Sequence, residues 1–389
     1  MSQKTQFSPS DGIQEASELP RVAFFTPAPD FGGAQRVTVT IANSLARRGH
    51  EVTLVAGELE GEFVPMIDDV VNTVELGLPD VPTLGVLSGV GRLATYLETA
   101  QPAVLFVSRT HTNVAAILAG GLAAEDVHIA VTEHSVFDRY QTRKDRVTGT
   151  LAAQLYRFAD DVIAVSEGVA ESVVDNTALA PGEPTVLHNP VDVESIRSKA
   201  DEPTEHRWLD NPDVEPIVSV GRLKPVKDYA TLIRAFASVT ESRPETRLII
   251  VGKGPERDRL EQLARDRGVA ERVSFPGYRD NPYPYMQSSS VFVLSSKSEG
   301  LPTALIEALA CGCTVVSTDC RYGPREILVD GKYGRLTPVG EPAELAAGIE
   351  NALEAPMPAE KSHARAEHFS TEAGADRYEA YIRSVTDTT

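Results

Sequence analysis

Short apolar runs alternate with amphipathic stretches along most of the chain. The first run, 21–26, is followed by a glycine-containing loop and an amphipathic stretch over 35–48. Gly49 and His50 then lead into a second apolar run over 51–56. Further runs fall at 104–107, 128–131 and 161–165. Strands this short, apolar throughout and separated by helical patterns, predict a parallel sheet covered on both faces.

Residues 193–216 are rich in Asp, Glu and Pro and read as a linker, after which the alternation restarts. Strands are expected at 217–220, 247–251, 272–275, 290–294 and 314–317, with helices over 228–240, 256–267 and 302–311. The fold class is therefore α/β, with two Rossmann-like domains facing each other across a cleft. The first would cover 21–195 and the second 205–370. A last helix, about 371–385 within the tail 371–389, would cross back over the boundary. Ligands of such sheets bind beyond the carboxyl ends of the strands, so both sets of loops would face one cleft.

Bulk properties narrow the partners. A chain of 389 residues with 42% hydrophobic content holds two domains with ample core. A net charge of -19 argues against nucleic acid, which needs a basic footprint. Arg outnumbers Lys roughly threefold, and this acidic, lysine-poor balance fits either a salt-adapted protein or an ordinary acidic one. Residues 1–20 are polar rather than signal-like and read as disordered. No apolar run is long enough to span a bilayer, so a cytoplasmic location is expected, at or near the inner face of the cell membrane. Cys311, Cys313 and Cys320 lack a fourth Cys or His beside them and read as buried reduced thiols rather than a zinc set.

The segment Ser298-Glu299-Gly300-Leu301-Pro302-Thr303-Ala304-Leu305-Ile306-Glu307 carries the strongest chemistry. A residue before proline avoids the helical region and proline suits a first helical turn, which leaves Glu299 in the preceding loop. Glu307 falls inside the helix among Leu305, Ile306, Ala308 and Leu309, where a carboxylate is costly without a partner. Two such carboxylates suit a polyhydroxylated ligand. Gly221-Arg222-Leu223-Lys224-Pro225-Val226-Lys227 puts three cations at a strand's carboxyl end, a set suited to a diphosphate. Gly32 and Gly33 open a helix and fit either a tight turn or a phosphate contact; they do not make the three-glycine dinucleotide fingerprint. Gly252-Lys253-Gly254-Pro255 reads as a tight connection. His134 follows a strand of the first half, where it would titrate near neutrality and reach a substrate hydroxyl, or serve structurally.

In this order the motifs resemble glycosyltransferase family 4, retaining enzymes of the GT-B fold. The resemblance runs through Gly32-Gly33-Ala34, His134, Val165-Ser166-Glu167-Gly168, His188-Asn189-Pro190-Val191-Asp192, Gly221-Arg222-Leu223 with Lys227, Gly252-Lys253-Gly254-Pro255, and Glu299 to Glu307, two carboxylates spaced as in the family's E-x7-E motif. It implies that Arg222 and Lys227 bind the donor diphosphate and stabilise the leaving nucleotide. Glu307 would accept hydrogen bonds from the ribose. Glu299, with the backbone of Gly300, Leu301 and Pro302, would hold the donor sugar and phosphate. His134 would reach the transferred sugar, and Gly33 the phosphates or acceptor. No metal is implied. The family often has glycine after the lysine, whereas here Asp228 follows and would cap the next helix. The segment Cys320-Arg321-Tyr322-Gly323-Pro324-Arg325-Glu326-Ile327 resembles members that extend glycans or glycolipids from UDP-sugars.

The expected partners are thus a nucleotide-sugar donor and a glycan or lipid-linked acceptor. Arg139, Arg143, Lys144, Arg146 and Arg157 form a basic run in an acidic chain, suited to peripheral membrane contact or simply to a surface helix paired with acids. A soluble acceptor and a non-catalytic scaffold subunit of the same fold are the alternatives. An epimerase is disfavoured by the E-x7-E segment, and an oxidoreductase by the missing fingerprint.

Overall fold

The computed structural model describes residues 19–28, 33–78, 89–123, 127–137 and 143–387, with backbone alone for 143–148. Two wholly parallel sheets organise them. The first contains β1 (Val22–Thr26), β2 (Val52–Ala56), β3 (Asn72–Glu75), β4 (Val104–Ser108), β5 (His128–Glu133), β6 (Asp161–Ala164) and β7 (Thr185–Val186). They lie in the order β3-β2-β1-β4-β5-β6-β7. The second contains β8 (Glu215–Val220), β9 (Thr246–Val251), β10 (Val273–Gly277), β11 (Val291–Leu294), β12 (Val315–Thr318) and β13 (Arg335–Thr337). Their order is β10-β9-β8-β11-β12-β13.

The central strands are buried on both faces because Val, Ile, Leu and Phe occupy consecutive positions, as in Val104–Ser108 and Val291–Leu294. In each sheet the order reverses once, between β1 and β4 and between β8 and β11. The loops that leave these strands flank a crevice, the usual ligand position in an open parallel sheet. β3, β7 and β13 are short edge strands with few apolar side chains, and the hydrophobic pattern gave no sign of them.

The first part of the expected linker is helical, while 201–214 carries neither helix nor strand. Val193–Ala200 is a helix: the Asp192 carboxylate accepts from the Ser195 amide at 2.9 Å, and Val193, Ile196 and Ala200 bury one face. It packs on the helices Tyr283–Gln287 and Thr303–Ala310, and Trp208 beyond it is also buried. The polar composition hid apolar residues spaced three and four apart. One apolar cluster consequently runs from the first half through Val193, Ile196 and Trp208 into the second.

The helix Thr371–Thr386 lies on the first half. Tyr378, Tyr381 and Ile382 join a core with Phe24, Phe106 and Ile41, Arg48 pairs with Asp376 at 2.7 Å, and His128 Nε2 meets the Tyr381 hydroxyl at 3.0 Å. All three cysteines are free and buried. Burial pushes the Cys313 and Cys320 thiols up to about 12, which keeps them protonated.

Candidate active site

Glu299 stands in the loop after β11, and Lys227 in the loop after β8, so the two strands of the reversal bring them together. Lys227 Nζ donates to Glu299 Oε1 at 2.7 Å, and Ser296 Oγ donates to the same oxygen at 2.5 Å. The Ser295 hydroxyl donates to the Lys227 carbonyl at 2.8 Å, and the Lys297 amide to the Val226 carbonyl at 2.8 Å. These bonds clamp the two loops into one unit. Its support is the β9 loop: a Cβ at Gly252 would overlap the Gly221 carbonyl, and one at Gly254 would overlap that of Leu223. Both glycines are therefore needed for close backbone approach that places the basic loop.

Asp228 does not cap the following helix through its side chain. It adopts φ +47, a left-handed conformation that glycine takes at little cost, and its carboxylate bonds the Thr231 hydroxyl at 2.8 Å and Lys297 at 3.3 Å. The backbone at this point explains why glycine suits it. Arg222 is exposed and makes no ion pair among the described residues.

Glu307 lies in the helix Thr303–Ala310, anchored by the buried Leu305, Ile306, Ala308 and Leu309. Each large side chain there is worth roughly 2 kcal/mol of burial. Among the described residues no side chain donates a hydrogen bond to Glu307. Burial pushes its carboxyl up, opposed by Arg36 and Lys227. It faces a cavity of about 320 Å³ lined also by Gly33, Arg36, Asp192, Tyr278, Tyr283 and Thr303. Both halves contribute to this lining. A Cβ at Gly33 would meet nothing within 4 Å, so the space over that helix start is open. Gly32 lies outside the described residues.

His134 comes immediately after β5 and touches the second half: a Cβ at Gly300 would sit 2.6 Å from the His134 carbonyl oxygen. The Gly300 carbonyl accepts from Ser166 Oγ at 3.1 Å. Leu301 and Pro302 are buried beside it. The Glu326 carboxylate ties to His188 and to the Glu167 amide, closing the same seam. The expectation that His134 titrates near neutrality fails. Burial pushes it down to about 4, with Asn189 acting against the shift and Arg109 for it, so the ring is neutral at physiological pH. Its Nδ1 and Asn189 Oδ1 are enclosed without hydrogen-bond partners.

Three features escaped the sequence reading. Arg36, one turn into the first helix, faces Glu307 and Tyr283 from the opposite half. Its only signal was a cation just behind a glycine turn. Glu133 is buried and accepts from the Tyr156 hydroxyl, from Asn113 Nδ2 at 3.3 Å and from Thr110 Oγ1 at 3.4 Å, and burial pushes it up to about 7. Arg109, at the end of β4, has φ +85, a strained conformation for a side-chain-bearing residue. Among the described residues no group of three or more His, Cys, Asp or Glu is placed to hold a metal. No helix of the described residues is long and apolar enough to cross a membrane.

Chemically, the site offers a cation paired to a carboxylate, a second carboxylate free to accept from hydroxyls, and aromatic rings at the cavity margin. Lys253 Nζ lies 4.7 Å from the Tyr278 ring centroid and fixes one of them. Solved structures share this architecture. HepE of Anabaena, crystallised with UDP, superposes with a TM-score of 0.76 at 21% identity, covering 94% of this chain and 100% of that one. The apo form of the lipopolysaccharide outer core galactosyltransferase WaaB gives 0.74 at 20% identity, over 94% and 99% of the two chains. The fold is GT-B.

Residues 31–195 match the family described as Glycosyltransferase Family 4, and residues 202–369 the family described as Glycosyl transferases group 1. A GDP-mannose-dependent alpha-mannosyltransferase of Mycobacterium tuberculosis is 30% identical over 334 residues, 80% of this chain and 82% of that protein. The chain belongs to the family 4, group 1 glycosyltransferases. An N-acetylgalactosamine-N,N'-diacetylbacillosaminyl-diphospho-undecaprenol 4-alpha-N-acetylgalactosaminyltransferase of Campylobacter jejuni is 36% identical over 204 residues, 52% of this chain. The match spans about half of that protein (53%), as it does of two further curated relatives (48% and 50%).

Proposed function

We propose that the chain is a retaining glycosyltransferase that moves a sugar from a UDP-sugar to a hydroxyl of a glycan or lipid-linked glycan. The observation that supports this reading is the 2.7 Å pair of Lys227 with Glu299 at the strand reversal of the second sheet, followed by Glu307 facing an open cavity that both halves line. Glu307 would accept from the ribose hydroxyls, which supplies the hydrogen-bond donors its half-buried carboxylate lacks. Lys227 and Arg222 would neutralise the diphosphate as the bond from the anomeric carbon to phosphate oxygen breaks. Glu299 would hold the sugar while keeping Lys227 aimed. The acceptor hydroxyl would attack the anomeric carbon on the face the diphosphate leaves, its proton passing to the departing phosphate oxygen, so configuration is retained. Glu299 and Glu307 come from one segment on the donor side and do not form the acid–nucleophile pair of a glycosidase.

The neutral ring of His134 would donate or accept toward the transferred sugar from across the cleft, and Gly33 would approach the phosphates or acceptor. A lipid-linked acceptor has support in the undecaprenol-linked substrate named for the Campylobacter jejuni relative, and UDP in the name of the HepE complex. It would be met at a membrane surface, which the basic run from Arg139 to Arg157 suits. The test is a panel of UDP-, GDP- and ADP-sugars read by thermal shift and by slow hydrolysis. UDP-sugars should stabilise the protein and be hydrolysed. A response to GDP-sugars alone would correct the base, and no response to any would overturn the enzyme reading.

A further inference from the structure

Asn189 is a buried polar residue at the point where the chain leaves the first half. It follows β7 and precedes the helix Val193–Ala200, and only 7% of it is exposed. The backbone there is fixed from both sides. Pro190 biases the residue before it toward the extended region. Upstream, the Leu187 amide donates to the Ala164 carbonyl at 2.9 Å; downstream, the Val191 amide donates to the Phe369 carbonyl at 2.8 Å. The adjacent His188 ring pairs with Glu326 of the second half. A side chain held on so fixed a backbone has little freedom in what its amide meets.

It meets His134. Asn189 is the side chain that acts on that ring by hydrogen bonding, in the sense that favours a proton there. His134 Nδ1 and Asn189 Oδ1 are both enclosed, and neither has a partner at normal hydrogen-bond geometry. Leaving either without one costs the desolvation of a buried polar atom. A carbonyl oxygen can only accept, so the two atoms satisfy each other only when Nδ1 carries the proton. A water is the rival partner. The adjoining cavity, lined by Thr38, Ser108, Thr132 and the ring itself, holds about 10 Å³, the lower limit for one molecule. Its Thr38 and Ser108 hydroxyls already meet each other at 3.3 Å. The second ring nitrogen stands differently. Nε2 bonds nothing among the described residues, and His134 as a whole is only half-buried, so Nε2 lies on its accessible edge.

We infer that Asn189 is a positioning residue for His134: its Oδ1 accepts from Nδ1–H, fixes the tautomer, and leaves Nε2 as a hydrogen-bond acceptor toward the cleft. Which nitrogen of a histidine is free is set by the bond the other one makes. The inference rests on the transferase reading and narrows it. A neutral ring in this tautomer accepts from a hydroxyl of the transferred sugar and cannot donate to one at Nε2. Asn189 belongs to the segment that crosses into the second half, so the orientation of the ring is tied to the seam between the halves. The backbone is tied at the same place, where Gly300 closes on the His134 carbonyl.

Nitrogen NMR spectra of the full chain with labelled histidines test this, with His134→Gln identifying the signal. At neutral pH the His134 ring should show the Nδ1–H tautomer. Asn189→Leu removes the acceptor and should move the proton to Nε2, whereas Asn189→Asp keeps an oxygen in place and should keep the proton on Nδ1. With a UDP-sugar, Asn189→Leu should lower kcat/KM for slow hydrolysis about tenfold and Asn189→Asp should retain most of it. UDP itself should bind both variants as it binds the unmodified protein. An Nε2–H ring in the unmodified protein would overturn the inference, and that spectrum decides the matter even where Asn189→Leu does not fold. So would an unchanged tautomer in Asn189→Leu, or a loss of UDP affinity equal to the loss of turnover, which would make the residue merely structural. Hydrolysis with an Nε2–H ring would sink the positioning role alone. The Nδ1–H tautomer in a protein that hydrolyses no nucleotide sugar would sink the transferase reading alone.

Discussion

The loops of the two sheets meet at one cleft, yet they are built on different physical terms. On the second sheet, charges are paired near solvent: Lys227 with Glu299 at 2.7 Å, each about a fifth exposed or less. On the first, polar groups are buried among neutral partners: Glu133 among Tyr156, Asn113 and Thr110, and His134 with an enclosed, unpartnered ring nitrogen. Lys227 can exchange one anionic partner for another, an incoming phosphate, without leaving its charge unpaired. The Glu133 set cannot rearrange without leaving a polar group unsatisfied. The donor side is thus suited to bind and release charge, and the other side to hold a fixed shape.

That contrast breaks most readily at Lys227. Lys227→Ala should lower turnover about 100- to 1000-fold, the usual cost of removing a group that stabilises developing charge. Glu133→Gln should leave turnover within a few-fold. Steady-state rates on the donor identified by the panel check both, and equal losses would erase the distinction between the halves.

The buried pair sharpens the contrast through pH. Glu133, raised to about 7, makes the folded state bind the extra proton, so its contribution to stability falls as pH rises from about 4.5 to 7. His134, lowered to about 4, makes the unfolded state bind the extra proton, so its contribution is full above about 6.5 and is lost as pH falls toward 4. Each amounts to about 3 kcal/mol over its range, and between about 4.5 and 6.5 the slopes oppose. Thermal melts of the unmodified protein should therefore change little there from this pair. Glu133→Gln should lose stability as pH drops from 6.5 to 4.5, and His134→Gln should gain it. Parallel pH profiles for the two variants would refute the assignment.

The alternating pattern was legible because parallel strands buried on both faces must be apolar throughout, and the two sheets follow from it. Three strands were not, since β3, β7 and β13 sit at or near sheet edges and carry polar residues. The helix Val193–Ala200 was concealed by Asp192 at its N-cap and by Glu194, Ser198 and Lys199 on its exposed side. At the site, Glu299 before Pro302 and Glu307 inside an apolar helix could be placed from local rules. Arg36 could not, because its relation to Glu307 exists only once the two halves meet. His134 was placed but its protonation was not, since the shift comes from burial that no local pattern encodes. The basic residue Arg222 stayed exposed and uncommitted, whereas Lys227 found Glu299 through the β8–β11 reversal.

The central claim is that the second half clamps a nucleotide sugar through Glu307. Calorimetric titration of the stabilising UDP-sugar into the unmodified protein and into Glu307→Ala tests it most directly. Loss of hydrogen bonds between a charged group and the ribose should weaken binding about tenfold or more, at roughly 1.5–3 kcal/mol. Unchanged donor affinity in Glu307→Ala would contradict the account.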